Sequence, residues 1–269
     1  MFKGLLVYDK ADAEYNSWFV NRIIETGASI GLDIKLVTTE EGVGCDILKM
    51  CDFAIMRNRN AEMSKKLEAR GIKCFNSSYV CSIGNDKWDM YKDFSSAGIP
   101  VMYTQTSKLP FPFVLKPRNG HGGKNVFLIN NSDEFERVKA EIGDLDNYIY
   151  QMKASETGRD IRVYVCGDMI LTAIERTAAG DGEFRANFSL GGKAIEHSLT
   201  DDELKLAAKV ANRIKADFVG IDIIYNNGKP IVNEIEDAVG TRMLYANTDI
   251  DAVSEYMDWI KKCLDETTR

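Results

Sequence analysis

Three carboxylates lie at strand-like spacing toward the C-terminal end of the chain. Asp222 lies in one apolar run, and Glu234 and Glu236 lie two positions apart in the next. Side chains two apart in a strand share one face, and the intervening segment Asn226–Lys229 has the composition of a hairpin turn. Pairing can bring all three carboxylates to one face, where they repel one another unless a cation lies among them. Hard oxygen ligands suit Mg²⁺ or Mn²⁺, so the pattern indicates either a metal site or solvent-facing positions on an amphipathic strand.

A glycine-rich loop between two strand-like runs is a candidate phosphate-binding segment. It runs from Lys116 to Lys124 and contains Gly120, Gly122 and Gly123. Glycines let backbone N–H groups approach phosphate oxygens, and lysines add positive charge. The loop lacks P-loop spacing and does not open a helix. It therefore predicts either a flap over a nucleotide or a plain turn, and His121 within it has either a phosphate or substrate contact or no role.

Three arginines on or near strand-like runs are candidate anion binders. Arg162 alternates with apolar neighbours, Arg176 closes an apolar run, and Arg185 follows shortly after it. Cations between apolar residues need anionic partners, and the planar guanidinium suits phosphate or carboxylate. Each alone is compatible with a surface position. Their combination with three carboxylates downstream points to phosphate chemistry.

Several of these motifs together resemble the ATP-grasp superfamily. The resemblance rests on Asp86-Lys87, on Ala97–Pro100, and on Phe113–Pro117 with its glycine-rich loop. The segments 158–165, 175–176 and 182–192 are similar to the RimK-like branch, whose ligases add glutamate or other amino acids to a carboxylate. The likeness extends in order over residues 75–240. It implies an ATP-grasp fold with a small N-terminal parallel-sheet domain and two further domains that clasp ATP.

The resemblance also implies roles for individual residues. The phosphates of ATP would contact Lys87, Lys116 and the flap glycines Gly120, Gly122 and Gly123. Adenine would lie against the stretch formed by Gln151, Met152, Lys153 and Ala154. Mg²⁺ or Mn²⁺, as two ions, would be held by Asp222, Glu234 and Glu236. The residues near the transferred phosphate would be Arg162, Arg176 and Asn187.

The sequence departs from the family pattern after the last metal position. The family has Asn followed by Ser-Pro-Gly, whereas this chain has Glu236 followed by Asp-Ala-Val-Gly-Thr. Glu236, in place of that Asn, adds negative charge at the predicted metal site. Arg242 adds a cation near the substrate, and Arg185 is the other substrate candidate. The carboxylate and amine substrates, either small molecules or peptides, stay open.

The chemistry implied is an ATP-dependent carboxylate–amine ligation. Phosphorylation converts a carboxylate into an acyl phosphate, and an amine, for which an amino acid is the leading candidate, then displaces phosphate. One alternative is an ATP-grasp kinase or carboxylating enzyme, which an assay for ADP with and without amines would separate. Another is a non-catalytic ATP-binding module, which the presence of both lysines and all three carboxylates disfavours.

The elements that would position these residues divide into three predicted domains. The order βαβαβ in residues 1–80 predicts a small parallel sheet without a dinucleotide fingerprint. Residues 81–153 form the predicted central subdomain with the flap, and residues 154–269 the C-terminal subdomain with the metal site. The fold class is therefore α/β with α+β character. We also expect a helix over Asn85–Ala97 and an N-cap at Ser132.

Composition narrows the partners. The chain has 269 residues and a net charge of −7, which disfavours a broad nucleic-acid surface. We expect no membrane segment and no signal peptide, since no apolar run is long enough. The six cysteines form no C-x-x-C pair, so reduced thiols and a cytoplasmic location are expected. Met257 and Trp259 on the last helix hint at a homo-oligomer interface.

Overall fold

The computed structural model describes residues 1–40, 51–120, 122–178 and 192–267. Their strands form three sheets, and helices pack between and around them. One sheet is parallel and two are antiparallel, which agrees with the predicted mixture of α/β and α+β character. The predicted domain boundaries at residues 80 and 153 stay predictions.

The N-terminal sheet is parallel, with the strand order β2-β1-β3-β4. Its strands are β1 (Phe2–Tyr8), β2 (Leu32–Thr38), β3 (Phe53–Met56) and β4 (Lys73–Phe75). Its helices are α1 (Lys10–Tyr15), α2 (Ser17–Ser29) and α3 (Ala61–Glu68). The central strands are apolar and buried on both faces, as expected of parallel strands covered by helices.

The central sheet is antiparallel, with the order β5-β8-β6-β7. Its strands are β5 (Thr104–Gln105), β6 (Phe113–Pro117), β7 (Phe127–Ile129) and β8 (Tyr148–Met152). Three helices accompany it in sequence: α4 (Ser78–Asn85), α5 (Lys87–Ser96) and α6 (Ser132–Ile142). The glycine-rich loop joins β6 to β7, so it projects from a hairpin of this sheet.

The C-terminal sheet is antiparallel and has the order β11-β10-β9-β12-β13. Its strands are β9 (Arg159–Cys166), β10 (Met169–Thr177), β11 (Lys193–Glu196), β12 (Phe218–Asn226) and β13 (Lys229–Glu236). The helices that follow or interrupt it are α7 (Asp201–Ile214), α8 (Arg242–Asn247) and α9 (Ala252–Thr267).

Alternation along β9 separates a packed face from a polar face. Ile161 and Val163 are buried in a cluster that includes Val210 of α7. Asp160 and Arg162 are two positions apart, so they share the opposite face of the strand. Helix α7 thus covers one face of β9, while the other face carries charged groups at its start and buries Tyr164 and Cys166 in a second core cluster further on.

Three details differ from the sequence prediction. The expected helix over Asn85–Ala97 is divided, because Asp86 has extended backbone angles and caps α5, while Asn85 ends α4. The N-cap of α6 is Asn131, whose side chain accepts from the Glu134 N–H, so the prediction of Ser132 was wrong. The hint of an interface at Met257 was also wrong, since that side chain is fully buried in the core.

The structure bears on the expectations for the cysteines and for membrane segments within the residues it describes. The five cysteines among the described residues are free thiols, and Cys45 lies outside that part of the chain. Within the same ranges, the helices are too short or too polar for any of them to cross a membrane.

Candidate active site

A cavity of about 320 Å³ lies between the central sheet and the polar face of the C-terminal sheet. Most of the predicted site residues line it: Lys87, Lys116, Gly120, Gly122, Gly123, Gln151, Met152, Lys153, Ala154, Arg162, Arg176, Asp222, Glu234 and Glu236. Residues from both sheets, the glycine-rich loop and α5 therefore meet at one place. Arg185, Asn187 and His121 lie outside the described residues.

In the acidic hairpin, a shift of one residue between Ile223 and Asp222 sets which side chains are opposite each other. Asp222 of β12 is directly opposite Glu234 of β13, and Gly220 is opposite Glu236. Asp222 and Gly220 are two apart, as are the two glutamates, so all four positions share one face. That face borders the cavity.

The cations that meet these carboxylates come from the protein itself. Arg162 donates to both oxygens of Asp222 at 2.7 Å and to Glu236 at 3.1 Å. Arg176 donates to both oxygens of Asp160 at 2.6 and 2.7 Å, and to Asp222 at 2.7 Å. The register explains the contacts, because Arg162 is the β9 partner of Asp222 and Asp160 is the β9 partner of Arg176.

The two lysines occupy the other wall of the cavity. The Lys87 ammonium is 3.0 Å from Glu234 and also donates to the Gly120 carbonyl. The Lys116 ammonium donates to the Tyr91 hydroxyl at 2.7 Å, and Tyr91 donates in turn to the Asn233 carbonyl at 2.6 Å. Lys116 therefore has a neutral partner, whereas Lys87 has an anionic one.

Burial and charge shift the ionisation of these groups in different directions. Burial alone would raise the pKa of Asp222, but the Arg162 and Arg176 guanidinium groups hold it well below its usual value. Burial raises the pKa of Glu234, and Lys87 only partly opposes that. Burial lowers the pKa of Lys116 to about 8, because its ammonium has lost water, and among the described residues Glu234 is the anion that opposes the shift. An anion bound beside Lys116 would therefore stabilise the charged form of this side chain.

The three carboxylates have the donor chemistry of a magnesium site. Glu234 and Glu236 each engage one oxygen, Oε1, with a protein cation among the described residues. The second oxygen of each is uncommitted within those residues and faces the same side of β13. Both oxygens of Asp222 are engaged. In the described ranges, no group of three or more His, Cys, Asp or Glu side chains converges as metal ligands. Both Asp222 oxygens accept from guanidinium groups, so to bind a cation with a free oxygen Asp222 would have to leave one of them. The residues fit Mg²⁺ by type, since it prefers carboxylate oxygens.

The stretch predicted to meet adenine forms the end of β8 and the residues after it. Gln151 is buried and donates from Nε2 to the Thr104 hydroxyl at 2.9 Å. The Met152 N–H donates to the Tyr103 carbonyl at 2.9 Å, so that donor is already used. Lys153 and Ala154 complete this rim of the cavity.

Arg242 does not join this group. It lies on α8, where its guanidinium is 3.8 Å from the centroid of the Tyr15 ring and donates to the Tyr15 carbonyl at 2.7 Å. It does not line the cavity. Its role toward a substrate stays a prediction.

Three residues of the site were missed by sequence reasoning. Asp160 holds Arg176, and its signal was its place two residues before Arg162 on one strand face. Tyr91 holds Lys116, and its signal was the four-residue spacing from Lys87, which puts both on one helix face. Gly220 leaves room for Val239 and Arg162, since a Cβ there would lie 2.8 Å from Val239 Cγ2 and 3.3 Å from Arg162 Cδ.

Comparison with known proteins identifies the class to which this fold and cavity belong. Residues 93–260 match the model of the RimK-like ATP-grasp domain. The chain belongs to this family. Uncharacterized protein MG011 of Mycoplasma genitalium is 30% identical over 251 residues, covering 90% of this chain and 86% of that one. A protein of Haemophilus influenzae named probable alpha-L-glutamate ligase is 27% identical, covering 83% of this chain and 74% of that one.

A solved structure shares the fold. The D-alanine–D-alanine ligase of Bacillus anthracis, complexed with ATP, superposes with a TM-score of 0.75 at 17% identity, covering 99% of this chain and 98% of that one. At this identity the likeness concerns the fold. The predictions of the ATP-grasp family, of the fold class and of an ATP-dependent ligase as the class of enzyme are confirmed.

Proposed function

We propose that this protein activates a carboxylate as an acyl phosphate with ATP and joins it to an amine. The observation that carries the proposal is the cavity in which two lysines, two arginines and three carboxylates meet beneath a glycine-rich loop. A carboxylate is a poor electrophile, because its leaving group would be oxide. Transfer of a phosphoryl group supplies a better leaving group, which an amine then displaces as phosphate. The chain's task is positioning and charge compensation.

The ion pairs inside the cavity support an exchange of partners when nucleotide binds. Lys87 is paired with Glu234, and Arg162 and Arg176 are paired with Asp222. In each pair the cation is a proposed phosphate contact and the anion a proposed metal ligand. Phosphate oxygens would draw the cations away from the carboxylates and leave those carboxylates free. Lys116, whose present partner is a neutral hydroxyl, would gain its first direct anionic contact.

The charge of the cavity supports a role for divalent cations. Among the described residues its lining carries seven cations, Lys87, Lys116, Lys124, Lys153, Arg159, Arg162 and Arg176, and five carboxylates, Glu156, Asp160, Asp222, Glu234 and Glu236. A nucleoside triphosphate brings roughly four negative charges, more than this excess of two cations offsets, so at least one divalent ion is needed, and the resemblance implies two. Asp222, Glu234 and Glu236 would hold Mg²⁺, which would supply positive charge to neutralise the charge that develops on the phosphates. Asn187 is proposed to act at the transferred phosphate and Arg185 at the substrate.

The amine substrate is proposed to be an α-amino acid, with glutamate as the first candidate. This rests on the relative named probable alpha-L-glutamate ligase, which is 27% identical to this chain. The carboxylate donor could be a small molecule or a peptide. No covalent nucleophile is required, so the cysteines take no part in the scheme.

The experiment that tests the function is a screen of amino acids in pairs with Mg²⁺ and ATP. Phosphate release stimulated by one pair, with a condensed product found by mass spectrometry, is the expected result. ADP formation that needs no amine would indicate a kinase instead. Failure of every pair, together with failure of the protein to bind a nonhydrolysable nucleotide, would refute the ligase proposal.

The lowered pKa of Lys116 predicts how nucleotide affinity depends on pH. Its pKa is about 8 in the free protein, and phosphate selects the protonated form, so the pKa rises on binding. Affinity is therefore insensitive to this group below pH 8 and falls as pH rises above it, by roughly tenfold between pH 8 and 9.5. Calorimetric titration with AMPPNP and Mg²⁺ over this range measures it. Lys116→Met should bind more weakly at pH 7 and show no such fall; parallel pH profiles in the two proteins would contradict the assignment.

A further inference from the structure

An ion pair at the base of the glycine-rich loop lies outside the groups proposed to touch ATP. Arg118 donates from Nη2 to Asp86 Oδ2 at 2.6 Å and from Nε to Oδ1 at 3.3 Å. Asp86 is also the N-cap of α5, because its Oδ1 accepts from the Asp89 N–H at 3.1 Å. One carboxylate therefore fixes both the start of the helix that carries Lys87 and the start of the loop.

Further hydrogen bonds join the same two segments. We call Pro117–Gly120 the loop root. The Lys87 N–H donates to the Arg118 carbonyl at 3.0 Å, and Asn119 Nδ2 donates to the Asn85 carbonyl at 2.7 Å. The Lys87 ammonium donates to the Gly120 carbonyl. Each residue of the loop root after the proline is thus bonded to a residue of the three-residue segment Asn85–Lys87.

The hydrogen bond from the Lys87 N–H to the Arg118 carbonyl is important because it lies at the start of α5. Lys87 is the first residue of α5, and an N–H in the first turn has no acceptor within its own helix. The Arg118 carbonyl supplies that acceptor. On its other side, the Arg118 N–H donates to the Asn147 carbonyl at 2.9 Å. The Arg118 backbone therefore bonds to Lys87 through its carbonyl and to Asn147 through its N–H. The Asp86 side chain adds a further contact with the Arg118 guanidinium.

We propose that Asp86 and Arg118 are positioning residues, whose ion pair fixes the loop root against the start of α5 so that Lys87 and the loop's N–H groups face the nucleotide phosphates together. Arg118 acts through Asp86 and does not itself bind phosphate. The proposal rests on the proposed function, because it takes the cavity to be a nucleotide site. It adds to that function two residues that set the geometry of the loop.

The sign of one substitution separates this proposal from simple electrostatics. Asp86 is a carboxylate next to a site for a polyanion, so charge alone predicts that Asp86→Asn strengthens nucleotide binding. Positioning predicts that the same change weakens it. Asn caps helices as well as Asp does, so α5 keeps its N-cap while the ion pair is lost.

The first measurement is the affinity for AMPPNP with Mg²⁺, by calorimetry, in the full-length protein. Asp86→Asn and Arg118→Gln are each expected to lower the affinity about tenfold, and the double variant to resemble either single one. Asp89→Asn is the matched control: it neutralises a carboxylate in the same helical turn, 3.9 Å from Arg118, and should stay within twofold of the parent. A double variant much weaker than Asp86→Asn would mean that Arg118 binds phosphate directly and would overturn the proposal.

The second measurement needs no nucleotide. Amide hydrogen exchange at Lys87 should accelerate at least tenfold in Asp86→Asn, while the Tyr91 amide in the middle of α5 keeps its rate; unchanged melting temperature confirms the fold. Unchanged exchange at Lys87, or nucleotide affinity equal to or above that of the parent, would overturn the proposal. If the parent protein binds no nucleotide, the proposed function falls and this proposal with it. If the parent binds and only the variants behave contrary to expectation, the function stands and the positioning role alone is refuted.

Discussion

Replacing Glu234 by Gln is expected to lower ATP turnover by about 100-fold or more while the protein keeps its fold. Glu234 is directly opposite Asp222 on the face that borders the cavity, and it pairs with the Lys87 ammonium at 3.0 Å. An amide of the same shape fills the same space but removes the negative charge. Without that charge, the site would lose one of its proposed oxygen ligands for a divalent cation, and Lys87 would lose the anionic partner that the described residues give it.

The measurement is ADP formation at saturating nucleotide, once a substrate pair is known, together with binding of Mn²⁺ by electron paramagnetic resonance. Glu156→Gln is the matched control, because Glu156 lines the same cavity at its exposed rim and accepts from the Gly228 N–H at 2.9 Å, which Gln can also do. The control should keep turnover within about twofold of the parent, as surface substitutions usually change little. Equal turnover in Glu234→Gln and the parent would refute the role of this carboxylate in holding a metal.

The contrast between the predicted and the observed site shows which information the sequence carries. Period-two spacing placed Glu234 and Glu236 on one face, because that rule is local. The turn alone would pair Asp222 with Asn233, and a register shift between Ile223 and Asp222 is what brings Asp222 opposite Glu234. Several of the described segments that resemble the family, among them those with Lys87, Lys116, Arg162 and Arg176, likewise come together at one cavity. What a local pattern cannot give is the partner of each charge. Arg162 and Asp222 are 60 residues apart, and their pairing depends on the strand order of the folded sheet.

The same limit explains the cation that the acidic hairpin was expected to need. Sequence reasoning required a positive charge among the carboxylates and assigned it to a metal. In the described residues that charge comes from Arg162, Arg176 and Lys87. The carboxylates do need nearby positive charge, as the sequence indicated. Which residues supply it depends on which strands are neighbours in the folded sheet. The metal remains part of the proposal through the donor chemistry of the carboxylates.

Smaller differences have local causes of another kind. Asn131 and Ser132 are both good capping residues, and the extended backbone of Asn131 decides between them. Asp86 interrupts the expected helix because its own side chain caps the next one. Arg242 follows Glu236 by six positions, yet the chain turns into α8 after β13, and the arginine packs on Tyr15 instead of entering the cavity. Closeness to Glu236 in sequence therefore did not place Arg242 near Glu236 in space, because the strand ends between them.

Replacing Arg162 by Met is expected to destabilise the protein by about 3 kcal/mol at pH 7. The Arg162 side chain is 11% exposed and is the described cation that binds both Asp222 and Glu236. Methionine fills much of the same volume but leaves Glu236 with no cation among the described residues and Asp222 with Arg176 alone. Removing one partner of a buried pair costs more than the pair itself contributes, since the remaining charge stays buried. The melting temperature should fall by on the order of 10 °C.

The matched control is Arg159→Met on the same strand. Arg159 is 40% exposed and pairs with Glu175 at 2.7 Å, so its loss should cost no more than about 1 kcal/mol. The two substitutions remove the same side chain from one strand and differ in how deeply its partners are buried. Similar losses of stability in both variants would contradict a buried charge network, and would indicate that water reaches the carboxylates.

The pH dependence of the Arg162→Met effect identifies its origin. In the parent, Arg162 and Arg176 hold the pKa of Asp222 well below its usual value, so the stabilisation by these pairs is present above the unfolded pKa of about 4 and lost as pH falls through the folded one. In the variant, Asp222 keeps Arg176 alone, so its pKa is lowered less and it contributes less stabilisation above about pH 4. The difference in melting temperature between parent and variant should therefore shrink as pH falls below about 4. A constant difference over this range would mean that lost packing, and not uncompensated charge, accounts for the instability.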